Sequence, residues 1–201
     1  MSAPAQRAVV VDAVRTPQAR KNGALADQYP EELVTTVLDA LCDRSGLPAA
    51  AWEDFRLGCA NQEHEQGRNL ARQSLLAGGF PESVPGSTVT RLCGSSLSAL
   101  NAASRAIETG DGAVYPVAGV EQMSRVPFSD WLHPAIEQRY DPDLLPMRPT
   151  AEPIARRLDT PRPDQARFAA RPHAPAAAAP RARRLADDPA ALDSQAAAAG
   201  C

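Results

Sequence analysis

The sequence predicts a layered α/β domain, followed by a proline-rich region and an alanine-rich tail. Short β-branched runs alternate with segments of helical periodicity over the first 125 residues, which is typical of a sheet covered by helices. Eleven of the 19 prolines lie from residue 134 onward, and from residue 174 onward alanine, proline and arginine dominate without an apolar period. We therefore expect an α/β domain over residues 7–125, a second region over 126–179 and a disordered low-complexity tail over 180–201.

The predicted elements follow one another in strand–helix order. Residues 7–14 form a β-branched run that ends at the turn Arg15-Thr16-Pro17, which predicts the first strand. Residues 31–45 place apolar side chains at helical spacing and Gly46 follows as a stop signal, which predicts the first helix. The remaining predictions are a strand over 54–59, a helix over 69–77, a strand over 87–92, a helix over 94–109 and a buried strand over 113–120.

Composition and charge argue against several classes of protein. Apolar residues make up 44% of the chain and charged residues 22%, as in soluble globular proteins. The net charge is −3 and no basic stripe with interleaved aromatic residues occurs, which argues against nucleic acid as a partner. No apolar run has the length of a membrane span, and the N-terminus does not resemble a signal peptide. We therefore expect a cytoplasmic protein.

The four cysteines and three histidines are scattered along the chain. No Cys-x-x-Cys pair occurs, so no metal site is expected. In a reducing cytosol the thiols stay free, and each is either a small core residue or a reactive group. Cys42 and Cys59 are interpreted as core cysteines, and Cys201 as incidental.

Cys93 lies where a predicted strand meets a predicted helix. The first amides of a helix have no partners within the helix and the helix dipole is positive there, so a thiol at this end is stabilised as its thiolate. The backbone N–H of Cys93 could also stabilise an oxyanion. Position alone favours an inert, small buried cysteine over a nucleophile, because many strand-to-helix turns carry one.

The sequence around Cys93 favours a nucleophile over an inert cysteine. Several sequence blocks, taken in their order along the chain, resemble the thiolase family. The resemblance implies a layered fold with a mixed sheet and helices on both faces, and a role for Cys93 as the catalytic nucleophile. The blocks are Val10-Val11-Asp12-Ala13-Val14-Arg15-Thr16-Pro17, Gly58-Cys59-Ala60-Asn61-Gln62, Glu65-Gln66-Gly67-Arg68-Asn69-Leu70-Ala71-Arg72, Ser83-Val84-Pro85-Gly86, Arg91-Leu92-Cys93-Gly94-Ser95 and Gly119-Val120-Glu121-Gln122-Met123-Ser124.

Within that family, the sequence is most similar to bacterial 3-ketoacyl-CoA thiolases of fatty-acid β-oxidation. The resemblance implies an acyltransferase that cleaves 3-ketoacyl-CoA with CoA to acetyl-CoA and a shortened acyl-CoA through an acyl-cysteine. Coenzyme A is then a substrate, and no separate cofactor is expected. The implied partners are acyl-CoA, CoA, a second copy of the chain and the α subunit of a β-oxidation multienzyme complex. This finer likeness depends on Glu65-Gln66-Gly67, Cys93-Gly94-Ser95-Ser96 and His133-Pro134.

The resemblance weakens along the chain. Residues 126–179 are similar in part to the loop domain that holds CoA in thiolases, but Pro153, Pro172 and Pro175 are expected to interrupt helices there. Pro116 is expected to disturb a buried central strand. No CoA-binding residue is therefore assigned.

The chain is also incomplete relative to the family. The family's Asn-Glu-Ala-Phe block, its Gly-His-Pro histidine and its second catalytic cysteine are not in this sequence. One alternative is therefore a truncated, inactive remnant or assembly module, and another is a biosynthetic acetoacetyl-CoA thiolase. A condensing enzyme of the ketoacyl synthase type is disfavoured by the blocks at residues 15–17 and 121–124. Glu121 is interpreted as a polar residue that turns the chain at the sheet edge.

Overall fold

The computed structural model describes residues 7–128, 132–141 and 144–181, and these fall into two units that divide after Phe128. The prediction of a disordered tail lies outside the described residues from position 182 onward. The predicted role of residues 126–179 as a loop domain that holds CoA stays a prediction.

Three short strands form the sheet of the first unit, in the order β2-β1-β3. Both pairings are parallel, with Phe55 beside Gly86 and Arg56 beside Val117. The antiparallel strand that a mixed sheet requires is not among the described residues. The strands are β1 (Phe55–Gly58), β2 (Gly86–Val89) and β3 (Val117–Gly119).

Three helices accompany this sheet, and they confirm the predicted helices to within one residue at either end. They are α1 (Pro30–Ser45), α2 (Leu70–Ala77) and α3 (Ser95–Thr109). At the start of α1, the Glu32 carboxylate accepts a hydrogen bond of 2.8 Å from the Tyr29 N–H. The helix ends at Gly46, whose φ of 66° is favourable only for glycine among common residues.

The hydrophobic core lies between α1, α2 and the sheet. Phe55 and Leu57 of β1 are fully buried, and Trp52 stacks on Phe80 with ring centroids 5.4 Å apart. Each such side chain contributes about 1.5–3 kcal/mol of hydrophobic stabilisation. The core cluster also contains Val34, Leu38, Cys59, Leu70, Ala71, Leu75 and Val84.

The prediction of a first strand over residues 7–14 is wrong. These residues belong to no strand, and Val9, Val10 and Val11 are 76%, 73% and 75% exposed. A β-branched run forms a strand only when a neighbour supplies backbone partners, and no described residue forms a backbone hydrogen bond with residues 8–14.

The other two strands that flank α3 are shorter than predicted. β2 ends at Val89, so the chain does not run straight from a strand into Cys93. β3 begins only after Pro116, and it is an edge strand rather than a central one among the described residues. Proline is tolerated at the start of an edge strand, where the Pro116 carbonyl still accepts a 3.0 Å hydrogen bond from the Arg56 N–H.

The second unit is helical, and the prolines do not interrupt it as expected. Pro153 lies inside the second of its four helices, and Pro175 lies in the first turn of the last one, where its missing N–H would have no partner within the helix. Residues 174–181 are helical rather than poorly ordered, because alanine has the highest helix propensity. The helices are α4 (Pro134–Glu137), α5 (Met147–Arg157), α6 (Arg162–Ala170) and α7 (His173–Arg181).

An ion pair joins the loops that follow β1 and β3 in the first unit. The Arg125 guanidinium donates two hydrogen bonds to the Glu65 carboxylate, of 2.6 and 2.7 Å. Its central carbon lies 3.9 Å from the centre of the Tyr29 ring, a cation–π arrangement. The hydrogen bonds from Arg125 hold the pKa of Glu65 below its ordinary value of 4.5.

We expect Glu65→Gln to remove stability in a pH-dependent way. A carboxyl group whose pKa is lower in the folded state stabilises it above the unfolded pKa, and loses this contribution as pH falls through the folded pKa. The difference in melting temperature between the wild type and Glu65→Gln should therefore be positive at pH 7 and shrink from about pH 4.5 downward. Thermal unfolding followed by circular dichroism from pH 7 to pH 3 measures it. Glu82→Gln, at an exposed carboxylate, is the control, and a difference that does not depend on pH would contradict the assignment.

Candidate active site

Cys93 lies in a tight turn between the end of β2 and the beginning of α3. Its side chain is exposed, unlike that of Cys59. Gly94 follows it at the N-cap position of α3. The Thr90 hydroxyl donates a 3.0 Å hydrogen bond to the Ala60 carbonyl and so ties the turn to the loop after β1.

The backbone of this turn is strained at Leu92, the residue before Cys93. Leu92 has a φ of 47°, in the left-handed region that costs a residue other than glycine roughly 1–2 kcal/mol. Two hydrogen bonds of 3.0 Å hold it there, from the Gly94 N–H to the Arg91 carbonyl and from the Ser95 N–H to the Leu92 carbonyl. The strain lets the chain reverse within a few residues and presents the Cys93 thiol to solvent.

Ser95 stabilises the turn through hydrogen bonds of its side chain. Its side chain is only 3% exposed. The hydroxyl accepts a 2.8 Å hydrogen bond from the Arg91 N–H and donates one of 2.6 Å to the Leu92 carbonyl. The same side chain therefore fixes the backbone on both sides of the strained residue.

Two glycines let the first turn of α3 rest directly on the sheet. A Cβ atom at Gly58, the last residue of β1, would overlap the backbone of Ser95 and Ser96. A Cβ atom at Gly119, the last residue of β3, would overlap the Ser96 side chain. Any larger residue at either strand end would push α3, and Cys93 with it, away from the sheet.

A buried amide network connects the loops next to the strand ends. Gln66 is fully buried; its amide nitrogen donates to the Asn61 carbonyl at 2.7 Å and to the Glu121 carboxylate at 2.8 Å. Its amide oxygen accepts a 2.5 Å hydrogen bond from the Gln122 N–H. The Glu121 carboxylate also accepts hydrogen bonds from the N–H groups of Ala60 and Asn61.

The sequence did not predict a role for Gln66 or Gln122, and for Glu121 it predicted only a turn at the sheet edge. Glu121 does follow a strand, but it also joins the loop after β1 to the loop after β3. Gln122 extends the network, because its amide donates to the carbonyls of Leu25 and Gln28 at 2.7 and 2.9 Å. For Gln122, the available signal was an amide side chain shortly after a strand predicted to be buried, where several backbone groups need partners.

The other described cysteines are not suited to act as nucleophiles. Cys59 is buried, and its burial, followed by the nearby Glu121 carboxylate, raises its pKa to about 12. Cys42 is half-buried against the core, and burial also raises its pKa. Both are core cysteines, as predicted, whereas Cys201 lies outside the described residues.

Within residues 7–128, no hydrogen bond joins the histidine, His64, to Cys93. His64 lies in a single helical turn after β1, and His133 accepts the Ala135 N–H at the start of α4. Among residues 7–128, 132–141 and 144–181, no group of three or more histidine, cysteine or acidic side chains could hold a metal ion.

A parallel sheet with an exposed thiol at the turn from a strand into a helix defines a class of α/β proteins that can form covalent bonds through cysteine. Comparison with known proteins identifies the family within this class. It matches the family described as thiolase, N-terminal domain, over residues 8–193, and it therefore belongs to the thiolase family.

Curated relatives carry the name 3-ketoacyl-CoA thiolase. The one from Klebsiella pneumoniae is 43% identical over 178 residues, which cover 87% of this chain and 46% of that protein. FadA of Escherichia coli strain K12 gives the same figures, and the Erwinia tasmaniensis protein is 41% identical over 90% of this chain and 48% of its own length. The chain thus spans slightly less than half the length of these relatives.

A solved structure confirms the fold. The crystal structure of the Bacillus anthracis acetyl-CoA acetyltransferase superposes with a TM-score of 0.78 at 30% sequence identity. The match covers 92% of this chain and 50% of that chain.

We expect Ser95→Ala to loosen the turn that carries Cys93. The change removes two hydrogen bonds of a buried hydroxyl, so the free energy of unfolding should fall by about 1–2 kcal/mol. Urea unfolding measures it. Ser98→Ala, on the same helix, is the matched control, because the Ser98 side chain forms no hydrogen bond with another described residue. Equal stability of the two variants would show that Ser95 does not hold the turn.

Alkylation should distinguish the thiols. With a pKa of about 12, only about one Cys59 side chain in ten thousand is a thiolate at pH 8. Iodoacetamide at that pH should therefore modify the exposed Cys93 and spare Cys59, as measured by peptide mass spectrometry at successive times. In urea both should react, which controls for peptide recovery. Modification of Cys59 at the rate of Cys93 in the folded protein would contradict the structure.

Proposed function

We propose that this chain is the nucleophile-bearing part of a thiolase-type acyltransferase, which cleaves 3-ketoacyl-CoA with CoA to acetyl-CoA and a shortened acyl-CoA. The observation that carries this proposal is the exposed Cys93 thiol in a strained turn directly before α3, within a chain of the thiolase family. The names of the curated relatives support the choice of substrate.

Several features of the geometry support Cys93 as the nucleophile. Helix α3 has 15 residues, and the positive end of its dipole faces the turn that carries Cys93. The thiol is accessible, and the strained backbone fixes its position before substrate arrives. We assign the Cys93 N–H as a donor to the oxyanion that forms on the substrate.

The proposed reaction has two displacement steps. The Cys93 sulfur attacks the keto carbonyl, a C–S bond forms, and the bond between the second and third acyl carbons breaks. The electron pair of that bond leaves on acetyl-CoA, which takes up a proton. The thiolate of a second CoA then attacks the acyl-cysteine, forms the new acyl-CoA and releases Cys93.

This reaction needs an acceptor for the thiol proton and a proton donor for acetyl-CoA. Within residues 7–128 the histidine is His64, and no hydrogen bond joins it to Cys93, so we propose that these groups come from outside residues 7–128. Coenzyme A acts as a substrate in this proposal, and no resident cofactor is invoked. We further propose that residues 126–179 contact CoA, and no single residue is assigned to that contact.

The proposed cellular setting follows from the resemblance to thiolases of fatty-acid β-oxidation. We propose a role in fatty-acid β-oxidation in the cytoplasm, with a second copy of the chain and the α subunit of a β-oxidation complex as partners. Among the described residues, no helix is both long enough and apolar enough to cross a membrane.

One observation favours a second candidate. A biosynthetic acetoacetyl-CoA thiolase is supported by the match to the Bacillus anthracis acetyl-CoA acetyltransferase. The third alternative, an inactive remnant or assembly module, stays a prediction from the sequence.

Acylation of Cys93 tests the proposal. The protein is incubated with acetoacetyl-CoA or a longer 3-ketoacyl-CoA, with and without CoA, and loss of the ketoacyl thioester is followed. Mass spectrometry should show an acyl group on Cys93 that CoA removes. Cys93→Ala should abolish the adduct, and Cys59→Ala, at the buried thiol, should retain it.

Each outcome separates the candidates. Faster acylation by longer substrates favours the degradative enzyme, whereas acylation by acetyl-CoA with formation of acetoacetyl-CoA favours the biosynthetic one. A folded protein without adduct or turnover leaves only the remnant. Turnover that survives Cys93→Ala would show that Cys93 is not the nucleophile.

A further inference from the structure

The peptide group between Leu92 and Cys93 presents an unpaired N–H. Its carbonyl, on Leu92, accepts two hydrogen bonds from Ser95, of 3.0 Å from the N–H and 2.6 Å from the hydroxyl. In a trans peptide the N–H points opposite to the carbonyl, so the Cys93 N–H points away from Ser95. This N–H forms no hydrogen bond with a described residue, whereas those of Gly94 and Ser95 do. It is therefore available to an oxygen atom of a ligand.

A side chain attaches the upstream end of the same turn to the sheet. Where β1 and β2 end, a backbone hydrogen bond of 3.1 Å joins the Cys59 N–H to the Val89 carbonyl. One residue further on, the Thr90 hydroxyl donates its 3.0 Å bond to the Ala60 carbonyl. Within the described residues, no backbone hydrogen bond joins residues 90–94 to the loop after β1 or to the loop after β3. The Thr90 hydroxyl thus continues the pairing of the two strands into the turn.

The peptide group between Ala60 and Asn61 is oriented by Glu121. Its N–H donates to one oxygen of the Glu121 carboxylate at 3.3 Å, and its carbonyl accepts the Thr90 hydroxyl. The other carboxylate oxygen accepts the Ala60 N–H at 2.9 Å. Because the Asn61 N–H points toward Glu121, the Ala60 carbonyl points away from it and toward Thr90. A chain of hydrogen bonds therefore leads from Glu121 through one peptide group to the turn that carries Cys93.

Exposure distinguishes this chain of bonds from the contacts of the buried Ser95. Thr90 and Glu121 are both exposed, and water can replace a lost partner of an exposed group. Removal of the Thr90 hydroxyl should therefore change the free energy of unfolding little. It should instead free the direction of the turn, because water restores a hydrogen bond without restoring the geometry that the loop imposed.

We propose that Glu121 is a positioning residue for the Cys93 N–H, and that it acts through the Ala60–Asn61 peptide group and the Thr90 hydroxyl. The inference rests on the proposed function, because the N–H is aimed at the oxygen of the carbonyl that the Cys93 sulfur attacks. A donor stabilises an oxyanion when it lies about 2.7–3.1 Å from that oxygen, so a small shift of the turn weakens the interaction. In this assignment Glu121 does not touch the substrate.

Hydrogen exchange of the chain alone tests the positioning without any acyl transfer. In Thr90→Val, the Gly94 and Ser95 amides, which close the turn, should exchange about fivefold faster than in the wild type, since one hydrogen bond that holds the turn is lost. Thr90→Ser keeps the hydroxyl and should restore the wild-type rates. Thr160→Val is the matched control, because the Thr160 side chain forms no hydrogen bond with another described residue.

Glu121→Gln tests the remote end of the chain of bonds. An amide oxygen replaces only one of the two carboxylate oxygens, so the N–H of Ala60 or that of Asn61 loses its acceptor. The two turn amides should again exchange faster, and Glu82→Gln, at an exposed carboxylate elsewhere, should leave them unchanged. Combining Thr90→Val with Glu121→Gln should add little to Thr90→Val alone, since both act through one peptide group.

Acylation tests the purpose of the positioning. Loss of the Thr90 hydroxyl should slow acylation of Cys93 by acetoacetyl-CoA about tenfold, and Thr90→Ser should restore the rate. Alkylation by iodoacetamide needs access to the thiol but no oxyanion donor, so its rate should stay within about twofold of the wild type. A residue that only stabilises the fold would not separate the two rates.

The other outcomes contradict the proposal. Unchanged exchange in Thr90→Val or in Glu121→Gln would overturn it, whether or not Cys93 is acylated. Effects that multiply in the double variant would show that the two side chains act independently. Equal slowing of acylation and alkylation would mean that the bonds control access to the thiol and not the direction of the N–H. If the wild type is not acylated, the proposed function fails, and the exchange rates alone decide whether Glu121 positions the turn.

Discussion

The close approach of α3 to the ends of β1 and β3 is the constraint on which the rest of the structure depends. Gly58 and Gly119 leave no space for a side chain between the strand ends and Ser96. The first turn of α3 is thereby fixed against the sheet, and the chain has only five residues, 90–94, in which to pass from β2 into α3. The left-handed Leu92 follows from that short connection, and the exposure of Cys93 follows from Leu92.

The polar network around Gln66 also stabilises the loops at the ends of the strands. Parallel strands that end together leave several loop backbone groups near one another, and a buried group without a partner costs about 1–3 kcal/mol. Gln66, Glu121 and Gln122 satisfy these groups with side chains. They also connect the loops after β1 and β3 to the segment before α1, so that the surface next to Cys93 is fixed by hydrogen bonds as well as by packing.

The sequence predicted the elements whose causes are local. Helix α1 follows from the spacing of its apolar residues and from Gly46, and α3 from its small residues and from Gly110. The prediction failed where a distant segment decides the outcome. Residues 8–14 have strand composition but no described strand beside them, and the α7 region has a low-complexity composition that the helix propensity of alanine overrides.

The site was predictable in part, for the same reason. Cys93 stands out because the sequence blocks around it resemble the thiolase family, whereas its position between a strand and a helix alone favours an inert cysteine; its role as the nucleophile stays a prediction. The contribution of Gln66 could not be predicted, since two of its three partners, Glu121 and Gln122, lie 55 and 56 residues further along the chain. The strain at Leu92 was also invisible, because leucine gives no sign of a left-handed backbone.

The second unit has a consequence for how the stability of this chain is defined. None of the side chains described between residues 132 and 179 is buried, and Met147, Ile154 and Phe168 are all exposed. Helices of nine to eleven residues without tertiary packing are marginal in water and melt gradually. Among the described residues, the cooperative heat absorption therefore comes from residues 7–128, and an enthalpy averaged over all the described residues would understate how tightly that unit is packed.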